Sequence, residues 1–99
     1  MSITFDKQAA AAFMHSAVLT YAQALNALSD AIWETPETAF EEYQSAQAIA
    51  ALLRAQGFDV ETGIAGIETA FRGVWGAGAP VIGLLGEYDA LSNMSQQAD

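Results

Sequence analysis

The sequence predicts an α/β fold in which two N-terminal helices pack on the start of a mixed sheet. Over the first half of the chain, apolar residues recur every three or four positions, as on one face of a helix. The spacing then shortens to that of strands. Residues 81–85 form a nearly continuous apolar run, which is typical of a strand covered on both faces.

The first helix is predicted over about residues 6–33. Because the residue before a proline is pushed out of the α region, Thr35 and Pro36 should end it. Its apolar positions share one face of the helix; they are Phe13, Ala17, Tyr21, Leu25, Leu28 and Ile32.

The second helix is predicted to begin at Thr38, whose hydroxyl would cap it, with Glu41 as the capping-box partner. Gly57 would end the helix as a left-handed cap. Four acids surround Pro36, and the preference of a helix start for negative charge is sufficient to explain them; they are Glu34, Glu37, Glu41 and Glu42. The predicted inner face of this helix holds Tyr43, Ala46, Ile49, Ala50 and Leu53.

Three strands follow, predicted at residues 58–62, 69–75 and 81–85. Two helices can cover one face of a three-stranded sheet, but the other face would stay open. About half of the apolar side chains of the third strand therefore lack partners within the chain. This shortfall predicts that more protein belongs to the fold.

The composition excludes several classes of partner. Three basic residues stand against twelve acidic ones, and the net charge of −9 repels phosphate backbones and anionic lipid. We therefore expect no nucleic-acid partner and no membrane partner. The chain has no cysteine, which removes disulfides, thiolate metal ligands and a cysteine nucleophile. Nothing requires an oxidising compartment, which favours a cytoplasmic protein.

The main candidate site lies where the third predicted strand ends, at Glu87 and Asp89. Enzymes of the α/β class commonly present acidic groups at the carboxyl ends of strands. Two residues apart on an extended chain, these side chains would share a face. From spacing alone, a pair of solvated carboxylates is about twice as frequent as a functional pair.

Other catalytic groups find no support in the sequence. His15 is the sole histidine, and one imidazole cannot make a zinc site, which takes three or four ligands. We expect His15 to be an exposed or partly packed helix residue. No serine lies in a Gly-x-Ser-x-Gly elbow. No complete catalytic set and no metal ligand is therefore assigned within the chain.

Three segments, in order and at sensible spacing, resemble the M20 family of metallo-amidohydrolases and peptidases. Residues 32–42 are similar to its opening of helix, His-Pro-Glu and acidic pair, although Thr35 stands where histidine is usual. Residues 53–60 resemble the helix-to-strand turn, and residues 83–91 resemble the third-strand motif. The resemblance covers about residues 21–98 and is closest to the p-aminobenzoyl-glutamate hydrolase branch.

The resemblance implies a zinc- or manganese-dependent hydrolase that cleaves amide bonds in N-acyl or aminobenzoyl amino acids, cytoplasmic and often dimeric. Residues 1–99 would form the N-terminal part of a single M20-like catalytic domain, with no second domain in the chain. The small-molecule amide substrate and the metal would belong to the complete enzyme, and this chain alone would bind no cofactor.

For the site, the resemblance favours Asp89 over Glu87. In the wider family the position of Glu87 is often a metal-ligating histidine, and the aspartate matching Asp89 orients or bridges at the metal site. This chain has glutamate there, as does its own branch, where residues of later segments resemble the ligand set. Asp89 and, more weakly, Glu87 are therefore candidates for supporting a metal ligand rather than for binding metal directly.

Two functions remain open. The chain is either the N-terminal segment of a metal-dependent amidohydrolase or a free-standing interaction module. The segment would be inactive alone, because metal-assisted hydrolysis needs ligands that lower the pKa of a bound water. The module would have to cover its open sheet face and edge by associating with itself or with a complementary chain.

Overall fold

The structure, a computed structural model, describes residues 4–94. These residues form two helices and a two-stranded sheet. The strands pair antiparallel, with Asp59 opposite Val74 and Thr62 opposite Phe71. The second helix lies against both strands, and the first helix packs on the second. The predicted α/β arrangement of two helices on a small sheet is confirmed. In chain order the elements are α1 (Lys7–Glu34), α2 (Tyr43–Ala55), β1 (Asp59–Thr62), one turn of 3₁₀ helix (Ile64–Gly66) and β2 (Phe71–Val74).

Helix α1 has the bounds that the sequence predicts. Its N-cap is Asp6, whose carboxylate accepts hydrogen bonds from the amides of Gln8 and Ala9 at 3.0 Å each. The helix ends at Glu34, immediately before Thr35 and the proline. None of its 28 residues is fully buried. Its apolar face is therefore only partly covered by the described residues, and no helix within 4–94 is long and apolar enough to cross a membrane.

The predicted start of α2 is wrong. The helix begins at Tyr43 rather than after Thr38, because Phe40 takes a left-handed backbone conformation with φ of 68° and interrupts the helical path. The Thr38 hydroxyl contacts the Glu41 carboxylate at 3.3 Å, so this pair closes a turn ahead of the helix instead of capping it. At the other end the prediction holds, since Gly57 has a φ of 92°.

The third predicted strand does not form among the described residues. The sheet there has two antiparallel strands, and residues 81–85 belong to no strand. Val81, Ile82, Leu84 and Leu85 are between 83% and 98% exposed. A strand needs a neighbour to satisfy its backbone groups and a layer to cover its side chains. Residues 4–94 supply neither to this segment.

The chain exposes far more surface than a folded protein of its size. Its accessible area is 8565 Å², whereas a folded 10.4 kDa monomer exposes about 5,400 Å². The excess is about 3,200 Å², on the scale of a large permanent interface. Within residues 4–94, Ala50 is the one hydrophobic residue that is fully buried.

Candidate functional site

The acidic segment that the sequence singles out is held to the rest of the fold through Tyr88. Its phenol donates a hydrogen bond to the carbonyl oxygen of Thr69, which is 4% exposed. Its ring packs against Phe71 on β2, with centroids 5.8 Å apart and planes tilted by 36°. The segment is thereby attached, just before Asp89, to β2 and to the turn that precedes β2.

The residue after Asp89 is attached on the opposite side. The amide of Ala90 donates to the carbonyl oxygen of Glu37 at 2.7 Å. Asp89 therefore lies between two anchored neighbours, one tied to β2 and one tied to the loop ahead of α2.

The side chain of Glu37 caps α2 from outside the helix. Its two carboxylate oxygens accept from the amides of Gln44 at 2.9 Å and Ser45 at 2.8 Å. These amides are among the unpaired donors of the first helical turn, where negative charge is favoured. The hydrogen bond from Gln44, reinforced by Ser45, holds the pKa of Glu37 below its usual value.

Glu42 is the second carboxylate tied into this region, and its residue is only 8% exposed. It accepts from the amide of Phe40 at 2.9 Å. A hydrogen bond from the Thr69 hydroxyl is the main cause of its lowered pKa. Burial raises the pKa of the Tyr88 phenol, and the negative charges of Glu42 and Glu37 raise it further. We call Glu37, Glu42, Thr69 and Tyr88 the acidic anchor.

A cavity of about 400 Å³ opens between the end of α1, the loop after it and residues 88–94. Its apolar lining includes Ile32, Trp33, Pro36 and Leu91, and Asp89 contributes a carboxylate. This volume falls in the range of small-molecule sites, which combine apolar walls with a few polar groups. The structure thus brings Asp89 to a cavity.

Glu87, the other predicted site residue, is exposed and is not part of the cavity lining. His15 is exposed on α1, as its predicted role as a helix surface residue requires. Sequence reasoning placed Glu37 among the acids favoured at a helix start but did not identify it as the cap, and it overlooked Tyr88. Glu37 lies seven and eight residues before the amides that it caps, a separation that no local capping pattern covers. For Tyr88, the position of an aromatic residue between two acids is the one hint in the sequence that its side chain is packed.

The donors within residues 4–94 do not make up a zinc or manganese site. No three His, Asp or Glu side chains in this part of the chain come together as possible metal ligands. Glu37 and Glu42 already accept hydrogen bonds from backbone amides. A zinc site takes three or four nitrogen, sulfur or oxygen ligands. The described residues do not bring such a set together, so no metal-dependent step is assigned to them.

Comparison with known proteins agrees with the motifs. The chain is 45% identical over 86 residues to one subunit of p-aminobenzoyl-glutamate hydrolase from Escherichia coli strain K12. The predicted resemblance is confirmed. The match covers 87% of this chain but 18% of the relative, so this chain spans less than a fifth of the length of the protein it matches and fits its N-terminal portion. No family model matches the chain. No solved structure matches it.

Proposed function

We propose that this chain is the N-terminal segment of the catalytic domain of a metal-dependent amidohydrolase that cleaves aminobenzoyl or N-acyl amino acid amide bonds, and that it is inactive alone. The observation that carries the proposal is the 45% identity with the p-aminobenzoyl-glutamate hydrolase of Escherichia coli over nearly the whole chain. The substrate class follows from the name of that relative. The family resemblance implies zinc or manganese as the metal. The side chains that bind it would come from segments beyond the matched region.

The exposed apolar surface supports a role as part of a larger fold. The total accessible area exceeds that of a compact protein of this mass by about 3,200 Å², and many large apolar side chains are among the exposed residues. The most exposed large apolar side chains lie in residues 81–85, immediately before the anchored segment that carries Asp89. In the proposed enzyme, a neighbouring strand and a covering layer bury them. A cytoplasmic location is part of the same proposal and is supported by the absence of cysteine.

A hybrid enzyme tests this function. In the hybrid, this chain replaces the matched segment of the Escherichia coli hydrolase, which is expressed with any further subunit that enzyme requires. We expect the hybrid to release p-aminobenzoate and glutamate from p-aminobenzoyl-glutamate, whereas the isolated chain does not. Asp89→Asn in the hybrid should lower activity about 10- to 100-fold, as expected for a group that supports a metal ligand.

The control for that variant is Asp30→Asn, a carboxylate on α1 that lies outside the cavity lining. It should leave the activity of the hybrid unchanged. A folded hybrid without activity, or full activity of the Asp89→Asn hybrid, would contradict the proposal.

A second candidate is an interaction module that associates with itself or with a complementary chain. The observation in its favour is the same exposed segment, with Leu84 and Leu85 98% and 97% exposed. Sedimentation of the isolated chain separates the two functions. A stable dimer that loses its association on Leu85→Glu favours the module, whereas a monomer that gains order only within the hybrid favours the hydrolase segment.

A further inference from the structure

The chain between β2 and the candidate site is weakly attached, and its attachment begins abruptly at Tyr88. Among the described residues, no hydrogen bond ties residues 75–87 to the rest of the fold. Tyr88 and Ala90 then make two bonds to different elements, on either side of Asp89. The order of this segment therefore depends on those two bonds.

We infer that Tyr88 and Glu37 are positioning residues that fix the backbone of Asp89 at the cavity. The inference rests on the proposed function for its catalytic consequence, because Asp89 is the carboxylate expected to support a metal ligand. Both residues also line the cavity, but this role requires no contact between them and the substrate. They act by fixing the position of Asp89.

Glu37 contributes through both its side chain and its backbone. Its carboxylate is held by two amides of the first turn of α2, Gln44 and Ser45, so the residue cannot move independently of the helix. Its carbonyl oxygen accepts from Ala90 at 2.7 Å. The start of α2 thereby sets where the chain after Asp89 lies. An acid suits this position because the helix N-terminus favours negative charge.

Tyr88 contributes from the opposite side. Thr69, which is 4% exposed, accepts the bond from the Tyr88 phenol through its carbonyl oxygen. The Tyr88 ring also packs against Phe71 on β2, whereas Ala90 is attached to the loop ahead of α2. Two different parts of the fold therefore hold the two neighbours of Asp89. Glu87 lies outside this pair of attachments and is exposed.

Amide hydrogen exchange on the chain, read by NMR, tests the inference without any need for activity. Tyr88→Phe keeps the ring against Phe71 and removes only the hydroxyl. We expect exchange of the Ala90 amide to become about three- to tenfold faster, the effect of losing one ordinary hydrogen bond. The Gly57 amide, bonded to Arg54 at the far end of α2, should change less than about twofold.

Three further variants make the test specific. Tyr21→Phe removes a hydroxyl from the surface of α1 and should leave Ala90 unchanged. Glu37→Ala should accelerate exchange at Ala90, Gln44 and Ser45 together, and Glu37→Gln, which keeps an acceptor oxygen, should restore part of the protection. An Ala90 amide unprotected in the parent chain, unchanged in the variants, or accelerated equally with Gly57 would overturn the inference.

The hybrid enzyme supplies the catalytic readout. Tyr88→Phe there should lower kcat about tenfold with KM unchanged, because a misplaced supporting group impairs the reaction more than substrate binding. A rise in KM with unaltered kcat would overturn the positioning role. An inactive parent hybrid would refute the proposed function alone, and the exchange measurement would still decide whether Tyr88 and Glu37 hold the segment.

Discussion

Replacing Leu84 by alanine should have different consequences in the isolated chain and in the hybrid enzyme. In the chain, Leu84 is 98% exposed, so the substitution removes atoms that contact almost nothing. Changes at such surface positions usually stay within about 0.5 kcal/mol. We therefore expect the free energy of unfolding of the isolated chain to be unaffected.

In the hybrid, the proposed function places Leu84 under a covering layer. Moving a leucine side chain from near-complete exposure to full burial stabilises a fold by about 1.5 to 3 kcal/mol. Truncating a buried leucine to alanine costs about 2 to 5 kcal/mol, because a cavity remains where the side chain was. The difference between the two proteins is thus several times the error of a denaturation experiment.

Urea unfolding followed by circular dichroism measures both values. Leu53→Ala is the matched control, because Leu53 packs against β2, where a methyl group added to Gly73 would lie 3.1 Å from it. That variant should destabilise the isolated chain and the hybrid alike. If Leu84→Ala weakens the isolated chain by more than about 1 kcal/mol, or leaves the hybrid unaffected, the residue is not a covered position of a larger fold.

Three further predictions concern the acidic anchor and the sheet. Because the pKa of Glu42 is lowered in the folded chain, its carboxylate stabilises the fold above the pKa of 4.5 that it has when unfolded, and this effect is lost as the pH falls through the folded pKa. The urea midpoint of Glu42→Gln should therefore vary less between pH 7 and about pH 3 than that of the parent chain. The raised pKa of Tyr88 means that its phenol ionises at a higher pH than an exposed tyrosine, so Tyr88→Phe should remove the last phase of an ultraviolet pH titration, and loss of an earlier phase would contradict the burial argument. Gly73→Ala should destabilise the chain by about 1 to 3 kcal/mol, because the new methyl would lie 3.1 Å from a leucine methyl of α2, whereas Gly83→Ala meets nothing within 4 Å and should be neutral in thermal unfolding.

Local patterns account for most of the fold that was predicted. The end of α1 before Pro36 and the left-handed turn at Gly57 depend on backbone sterics within a few residues. The two short strands, β1 and β2, lie close in sequence and are joined by residues 63–70, which include one turn of 3₁₀ helix, so the local pattern of strand and turn residues indicates them.

The two wrong predictions have the same origin in longer-range contacts. Thr38 and Glu41 match the capping-box spacing, but Phe40, which lies between them, adopts a left-handed conformation. The carboxylate of Glu37 caps the helix instead. Residues 81–85 match a buried strand, but a strand cannot form without a partner to accept its backbone bonds. Both patterns describe what a segment can form, and the neighbours determine whether it does.

The sequence by itself determined the class of the fold, the order of its helices and strands and the resemblance to a hydrolase, because these follow from periodicity, turn residues and short motifs. From residue spacing it indicated Asp89 and Glu87 as a pair, and the family resemblance favoured Asp89 over Glu87. Both carboxylates are exposed in the structure, but only Asp89 lines the cavity. Only the tertiary structure showed this and the two bonds on either side of Asp89, which tie Tyr88 to Thr69 and Ala90 to Glu37. Those bonds join residues that are 19 and 53 positions apart in the sequence. Whether they form depends on where the end of a helix lies relative to a strand, and no local spacing encodes that.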